Sequence, residues 1–457
     1  MQMVTKVKSY RAQFSQWLHA ETGIAPLVVF RIIFGLMMFA GTVRFWAKGW
    51  IDALFIQPDN FFHYYGFEWV KPMGEFGMYT IFVLLLISSL FIVLGLFYRW
   101  ASVIYFILFT YIELIDIANY LNHYYFISLV ALLMCFLPAN RSFSVDVWRR
   151  PNIAVQKVSN WTVAALKFQL ALVYFFAGVA KLNQDWLFDA MPMSIWLQAK
   201  THWPIVGHLF AEKWVAYSFS WMGCIFDLTV VFFLLSKRSR PFAYLALVVF
   251  HVITGIMFPI GMFPWIMILA TLIFFSTDFH EKIIIFIRSK LNVKVQSSIG
   301  DNSLFLHGFK KKFLTGFLLT YVFFQMLFPF RYLLYPGDLF WTEQGYRFSW
   351  RVMLMEKAGT AFFYVTDPKT GKRGEVNNCQ FLTPTQEKMM ATQPDLILQY
   401  AHMIKQEVES RGLKDPIINA EVYVTLNGSR SKLFIDPKVN LAALEDDFKH
   451  KDWILDF

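Results

Sequence analysis

Trp161-Thr-Val-Ala-Ala-Leu-Lys167-Phe-Gln-Leu-Ala-Leu-Val-Tyr174-Phe-Phe-Ala-Gly178-Val-Ala-Lys181 decides the class of fold. At about 1.5 Å per helical residue, this run is long enough to cross a bilayer. It carries one cation inside and ends on another, so Lys181 emerges at a membrane boundary. An ammonium there snorkels to the headgroups, finds a partner or loses its proton. Without its proton it is a base.

The rest of the chain agrees with a membrane setting. Of 457 residues 57% are hydrophobic, 19% aromatic and 16% charged, where a soluble protein carries about a quarter charged. Apolar segments fall near 25–46, 77–98, 100–118, 122–138, 161–181, 214–236, 240–260, 262–277 and 313–331. That is about nine spans. A formal charge of +10 invites a nucleic-acid reading, but its distribution excludes one. With the N-terminus inside, Lys6, Lys8, Arg11, Arg99, Arg141, Arg149, Arg150, Lys157, Lys237, Arg238 and Arg240 lie on inner loops. Lys282, Arg288, Lys290, Lys294 and Lys310 to Lys312 join them in the basic, partly amphipathic stretch 278–312. The outer loops hold only Lys48, Lys71, Lys200 and Lys213. This is the positive-inside pattern, and it puts Lys181 and the C-terminus on the outer side.

The N-terminus shows no cleavable signal. Residues 1–331 thus read as a transmembrane helical domain. Residues 332–457 read as an outer α+β, sandwich-like domain. Strand-like alternation marks Tyr346–Leu354, Thr360–Thr366 and Ala420–Leu426. Asp367-Pro-Lys-Thr-Gly371 and Asn427-Gly428 supply turns, and 384–411 supplies helices. Cys135, Cys224 and Cys379 have no metal-ligand spacing and imply no disulfide framework.

Ionisable groups inside spans each need a reason. For Arg31, Lys167 and Asp227, pairing across helices is the stronger reading, and Arg44 reads as an interfacial anchor. Asp116, Asn122, His123 and Lys181 differ, because the topology gathers them at the outer ends of spans three, four and five. His251 lies one to two turns below the outer loop Pro259–Trp265, which contains Met262. Tyr174, Gly178 and Lys181 share a helical face, although Gly178 also fits a helix-packing role. One amine, two imidazoles, an amide and a carboxylate rimmed by aromatics have the composition of a catalytic pocket. No HExxH, paired-cysteine or carboxylate motif points to a metal. No GxSxG, P-loop or dinucleotide fingerprint is present.

On these residues the chain resembles the vitamin K-dependent γ-glutamyl carboxylase family, within the broader group of HTTM membrane domains. The similarity runs in order through Leu114–Tyr124, Pro138–Asp146, Val173–Trp186, Phe250-His251, Ile260–Phe263, Gly345–Trp350 and Phe434–Val439. It implies a lyase of the carboxylase type. Vitamin K hydroquinone, or a menaquinol, would react with O2 and leave as its epoxide. The strong base so formed would remove a γ-proton from peptide Glu, and the carbanion would take up CO2.

The resemblance makes Lys181 the base, with Asn122 and His123 on the quinone oxygens. Asp116, Tyr174, Gly178, His251 and Met262 are the candidate cofactor-binding residues, and Tyr346, Phe348 and Trp350 would lie near the substrate Glu. The implied partners are membrane lipid, the quinone and a Glu-containing peptide or protein. Departures from the family concern substrate handling. Ala180 stands where animal members have a second lysine, and Arg351–Lys357 lacks the family's histidine. Only Cys379 lies in the outer domain, so the animal interdomain disulfide has no counterpart. The long C-terminal extension of animal members is also missing, which suggests a bacterial enzyme of the inner membrane with a periplasmic domain. Two alternatives stand beside carboxylation: quinone epoxidation without it, and a non-catalytic lipid-binding scaffold.

Overall fold

A computed structural model describes residues 13–292, 303–304 and 308–457. Lys6, Lys8, Arg11 and Lys294 of the loop-charge reading lie outside the described residues. The membrane part is built from α1 (Ala25–Ala47), α2 (Gly74–Leu94), α3 (Tyr98–Ile115), α4 (Asn122–Phe136), α5 (Trp161–Ala180), α6 (Lys213–Leu235) and α7 (Arg240–Met257). It continues through α8 (Phe263–Ala270), α9 (Thr277–Lys290) and α10 (Gly308–Leu327). Among the described residues seven helices are long and apolar enough to cross a membrane. The expected span at 122–138 is a 15-residue helix. The one at 262–277 breaks, with Phe263–Phe274 bent by 115° against α9. α9 is therefore the amphipathic element foreseen in the basic stretch, carrying Lys282, Arg288 and Lys290. Three short strands, β1 (Glu21–Gly23), β2 (Lys157–Ser159) and β3 (Ser303–Leu304), form one small sheet beside the bundle.

Lipid offers no hydrophobic drive between helices, so close backbone contact holds them together. A Cβ on Gly35 would come within 2.8 Å of the Ser89 carbonyl oxygen, which brings α1 against α2. One on Gly178 would meet the Leu228 backbone nitrogen at 2.9 Å, which brings α5 against α6.

Arg31, 1% exposed, has no carboxylate partner within ion-pair distance among the described residues. Its guanidinium donates to the carbonyls of Ala139 (2.9 Å) and Phe143 (2.7 Å), and more weakly to Val93 (3.4 Å). The stretch Pro138–Asp146 thus receives the arginine of α1, and it also caps α3. The Asp146 carboxylate accepts from the Phe97 and Tyr98 amides at 2.9 and 3.1 Å and from the Asn140 amide at 2.7 Å. Those amides are the unsatisfied donors of a helix start. Gly95 closes α2 at φ +63, and a Cβ there would lie 2.6 Å from Arg31 Nη1.

The C-terminal domain is an antiparallel sheet in the order β5–β4–β6–β7, with β4 (Lys357–Thr366), β5 (Arg373–Glu375), β6 (Ile417–Leu426) and β7 (Lys432–Leu433). β4 and β6 pair along their full length, from Lys357↔Leu426 to Thr366↔Ile417. Ala361, Phe363, Ala420, Val422 and Val424 alternate onto the buried face. Helices α11 (Pro384–Met390) and α12 (Pro394–Ser410) join this core. α12 supplies Leu396, Ile397, Tyr400 and Ile404, all 0% exposed. The layer against the sheet is therefore helical, and the domain is α+β. A capping box between Thr383 and Gln386 starts α11. Asn427 and Gly428, both at positive φ, turn β6 into β7.

One expected strand is not formed. Tyr346–Leu354 carries Phe348, Trp350 and Met353 at φ of 59, 60 and 51. Left-handed residues break an extended strand. The aromatic alternation that suggested one packs onto the membrane helices instead.

Arg31→Leu should lower stability by about 3 kcal/mol, because it strands buried carbonyls. Lysine should not rescue it, since a single ammonium cannot fork to separated acceptors. Thermal unfolding in detergent, wild type against both variants, measures this.

Candidate functional site

α3 ends where Asp116 adopts extended backbone. A single 3-10 turn, Ile117–Asn119, then reverses the chain into α4, whose first residues are Asn122 and His123. The Asp116 carboxylate caps that turn at the Ala118 amide (2.9 Å) and accepts from Gln386 Nε2 of α11 (3.0 Å). Burial pushes its carboxyl up to about 6. The turn opens into a cavity of about 560 Å³ bounded by α1, α3, α4, the Pro259–Phe263 loop and two residues of the C-terminal domain, Val352 and Met353. Met37, Met38, Phe45, Tyr105, Phe109 and Ile127 make it apolar, while Thr42, Arg44, Glu113, Asp116, Asn122 and His123 supply its polar groups. An apolar cavity with a few converging polar groups has the make-up of a small-molecule site.

The predicted residues divide between this cavity and the helices behind it. Asn122, His123, Asp116 and Met262 line it. Phe263 separates His123 from His251, with ring centroids 5.9 and 6.0 Å away. Behind it, His251 Nε2 lies 2.9 Å from the Tyr174 hydroxyl, so these two hold each other. Gly178 packs on α6.

Lys181 does not line the cavity. Its position at the end of α5 aims it at α6, where Nζ meets Asp227 Oδ2 at 2.7 Å and the Ala177 carbonyl at 3.2 Å. Its ammonium lies 5.3 Å from the Trp186 ring centroid. The amine and the Asn–His pair, read from sequence as one cluster, occupy separate places.

Tyr346, Phe348 and Trp350 belong to the left-handed stretch, which is pressed onto the helix ends. Phe348 N–H donates to the Tyr120 hydroxyl (2.9 Å), and its ring meets Tyr120 and Tyr125, each at 4.9 Å. Trp350 is 1% exposed and stacks on Tyr125. Asn122 Nδ2 donates to the Arg351 carbonyl at 2.9 Å. Tyr346 N–H bonds the Glu343 carbonyl at 3.1 Å.

Beyond this stretch lies a second cavity of about 220 Å³, bordered by Ala180, Leu182 and Asn183 around Lys181 and by Tyr332, Asp338, Ser349 and Arg351. Residues 349–353 therefore form a wall shared by both cavities. Sequence reasoning missed Val352, Met353, Arg351 and Glu113 as lining residues, and it gave Arg44 another role. The cross-helix pairing expected of Asp227 is present, and its partner is Lys181. Among the described residues no group of three His, Cys, Asp or Glu could hold a metal ion.

Fold and site together define a multi-pass membrane protein with an apolar ligand cavity roofed by a C-terminal α+β domain. Residues 19–279 match the HTTM domain, and residues 310–457 match the vitamin K-dependent gamma-carboxylase lumenal domain. The chain belongs to the vitamin K-dependent carboxylase family. No solved structure matches it.

The shared wall is tied to α12 by an ion pair between Arg347 and Asp395. Burial raises the Asp395 carboxyl, but the Arg347 guanidinium and its hydrogen bond outweigh this and leave it below the usual value. A depressed carboxyl gives stability that is fully present above the unfolded value, about 3.9, and lost as pH falls through the folded one. Acid below about pH 4 should therefore loosen the wall, read as a change in tryptophan emission. Asp395→Asn should already be loosened at neutral pH and lack that acid step.

Proposed function

We propose that the protein is a vitamin K hydroquinone-dependent γ-glutamyl carboxylase that couples quinone epoxidation by O2 to carboxylation of peptide Glu with CO2. The observation that carries this reading is His123. Its imidazole faces the apolar cavity, and none of the described residues bonds its ring nitrogens, which leaves them for a ligand oxygen. Asn122 beside it is held in a fixed attitude, its Oδ1 accepting from the Tyr120 hydroxyl at 3.1 Å. These groups fit a hydroquinone headgroup, with the methionine and aromatic walls around its tail. When bound, the quinone supplies through its reaction with O2 the base strong enough to remove a γ-proton.

The protein's part is orientation, water exclusion and one proton. Asn122 and His123 hold the ring oxygens, where fixed dipoles stabilise developing negative charge. Lys181 takes the hydroquinone proton. A lysine must be neutral to accept one, and the Asp227 carboxylate at 2.7 Å would stabilise the ammonium that results. Lys181 lines neither cavity, so proton transfer to it requires a rearrangement when the quinone binds. Left-handed backbone in the 349–353 wall is costly to hold and suits a moving part. Asp116 and Met262 shape the quinone cavity, while Tyr174, His251 and Gly178 act behind it by fixing helix positions. The membrane and outer domains divide at residues 331 and 332. The loop charges support a cytoplasmic N-terminus and a C-terminal domain in the periplasm or lumen.

Purified protein given reduced vitamin K, labelled bicarbonate and a Glu peptide should form epoxide and fix label. Epoxide without label would leave a quinone epoxidase, and neither product would leave a lipid-binding scaffold. Lys181→Ala should cut epoxide formation by about 100-fold or more, and undiminished epoxidation would end its assignment as base. Cys379 is exposed on the C-terminal domain. A membrane-impermeant maleimide should label it in sealed cells or right-side-out vesicles, and should fail with Cys379→Ser. Labelling only after permeabilisation would reverse the orientation.

A further inference from the structure

The smaller cavity contains a cation that has no counter-ion among the described residues. Arg351 is 8% exposed and lines the cavity wall. Its guanidinium lies over the Tyr332 ring, 4.4 Å from the centroid, within reach of that residue's hydroxyl. Nε is buried with no hydrogen-bond partner. Among the described residues no carboxylate lies within ion-pair distance of the guanidinium. Asp338 borders the same cavity, but its carboxylate already accepts the Trp341 amide at 2.9 Å. Burial lowers the Arg351 pKa, with only the tyrosines Tyr346 and Tyr332 raising it.

A buried guanidinium in this condition is costly, and a planar anion that forks onto it removes the cost. The cavity is less than half the volume of the quinone cavity, so it suits a side chain rather than a prenylated ring. Its position is equally specific. The Arg351 carbonyl is held by Asn122 of the quinone cavity, while the side chain looks into the smaller one. One residue thus touches both chambers.

We propose that the smaller cavity seats the acidic side chain of the peptide substrate and that the Arg351 guanidinium holds its carboxylate. This rests on the carboxylase reading and names the substrate subsite within it. When the Cγ–H bond breaks, the proton goes to the reaction's base and the electron pair left on Cγ delocalises into the adjacent carboxylate. Charge therefore grows on the oxygens that Arg351 holds, where a fixed cation stabilises it most. A purely structural arginine, stacked on Tyr332 to hold the wall, is the competing reading.

The test uses the full chain in lipid nanodiscs with reduced vitamin K. Binding of a Glu peptide and its Gln counterpart is measured for wild type, Arg351→Gln, Arg351→Lys and Leu182→Trp. Wild type should prefer Glu by about 30-fold, the scale of a charge-assisted bidentate contact. Arg351→Gln should lose that preference, and Arg351→Lys should keep part of it. Leu182→Trp alters an exposed residue at the cavity's edge and should weaken the Glu peptide without weakening the quinone. It serves as the independent variant if Arg351→Gln does not fold. A wild type without Glu preference, an Arg351→Gln protein that retains it, or a Leu182→Trp protein with unchanged peptide binding would each overturn the proposal. Label fixation separates it from the reaction itself. Fixed label with an unaltered KM in Arg351→Gln sinks the subsite and leaves the enzyme. Glu preference through Arg351 without label or epoxide sinks the reaction and leaves the subsite.

Discussion

The site depends on how one irregular stretch of the C-terminal domain, residues 343–353, is held against the domain-facing ends of the membrane helices. Two hydrogen bonds define that docking: Phe348 N–H to the Tyr120 hydroxyl, and Asn122 Nδ2 to the Arg351 carbonyl. Both use side chains from the turn between α3 and α4, and both satisfy backbone groups that no strand ladder serves. A backbone with repeated left-handed residues cannot pair in a sheet, so its polar groups must find partners elsewhere or go unpaired at cost. The helix ends supply those partners. The stretch in turn closes the larger cavity with Val352 and Met353 and opens the smaller one with Ser349 and Arg351. Further contacts hold the domain in place, including Gln386 on Asp116 and Gln399 bridging the backbone of His63.

Lys181 and Arg351 show two ways of keeping a cation in a dry place. Lys181 has a carboxylate at 2.7 Å on the neighbouring helix. Arg351 has an aromatic face and an unpaired Nε, and a guanidinium keeps its proton under all ordinary conditions. The first arrangement suits proton transfer and the second suits holding an anion.

Much of the architecture was legible in sequence because a bilayer imposes a strong, local rule: runs of apolar residues of a set length, with basic residues biased to one side. The α+β character of the C-terminal domain was legible for a similar reason, since period-two burial in β6 and the Asn427-Gly428 turn are written within ten residues of each other. The same rule misread Tyr346–Leu354. Alternating aromatics look like one face of a strand, and only backbone dihedrals show that the rings are plugged between tyrosines of another domain. Asp116, Asn122 and His123 were legible as a group because a short turn keeps them together whatever the helices do.

Lys181 was not legible in the same way. Sequence put it at the correct end of its helix, but the direction in which it points depends on the rotation of α5 about its axis. That rotation is set by Gly178 meeting the backbone of α6, a contact between residues fifty positions apart. By itself, then, the sequence determined the membrane setting, the helix order, the α+β domain and the turn carrying Asn122 and His123, because each follows from short-range pattern. Only the tertiary structure decided that Lys181 pairs with Asp227, that two cavities share one wall, and that Arg351 stands in the second with no counter-ion among the described residues. Those facts depend on which side chains meet across helices and domains, and packing between distant segments leaves no periodic trace in a single chain.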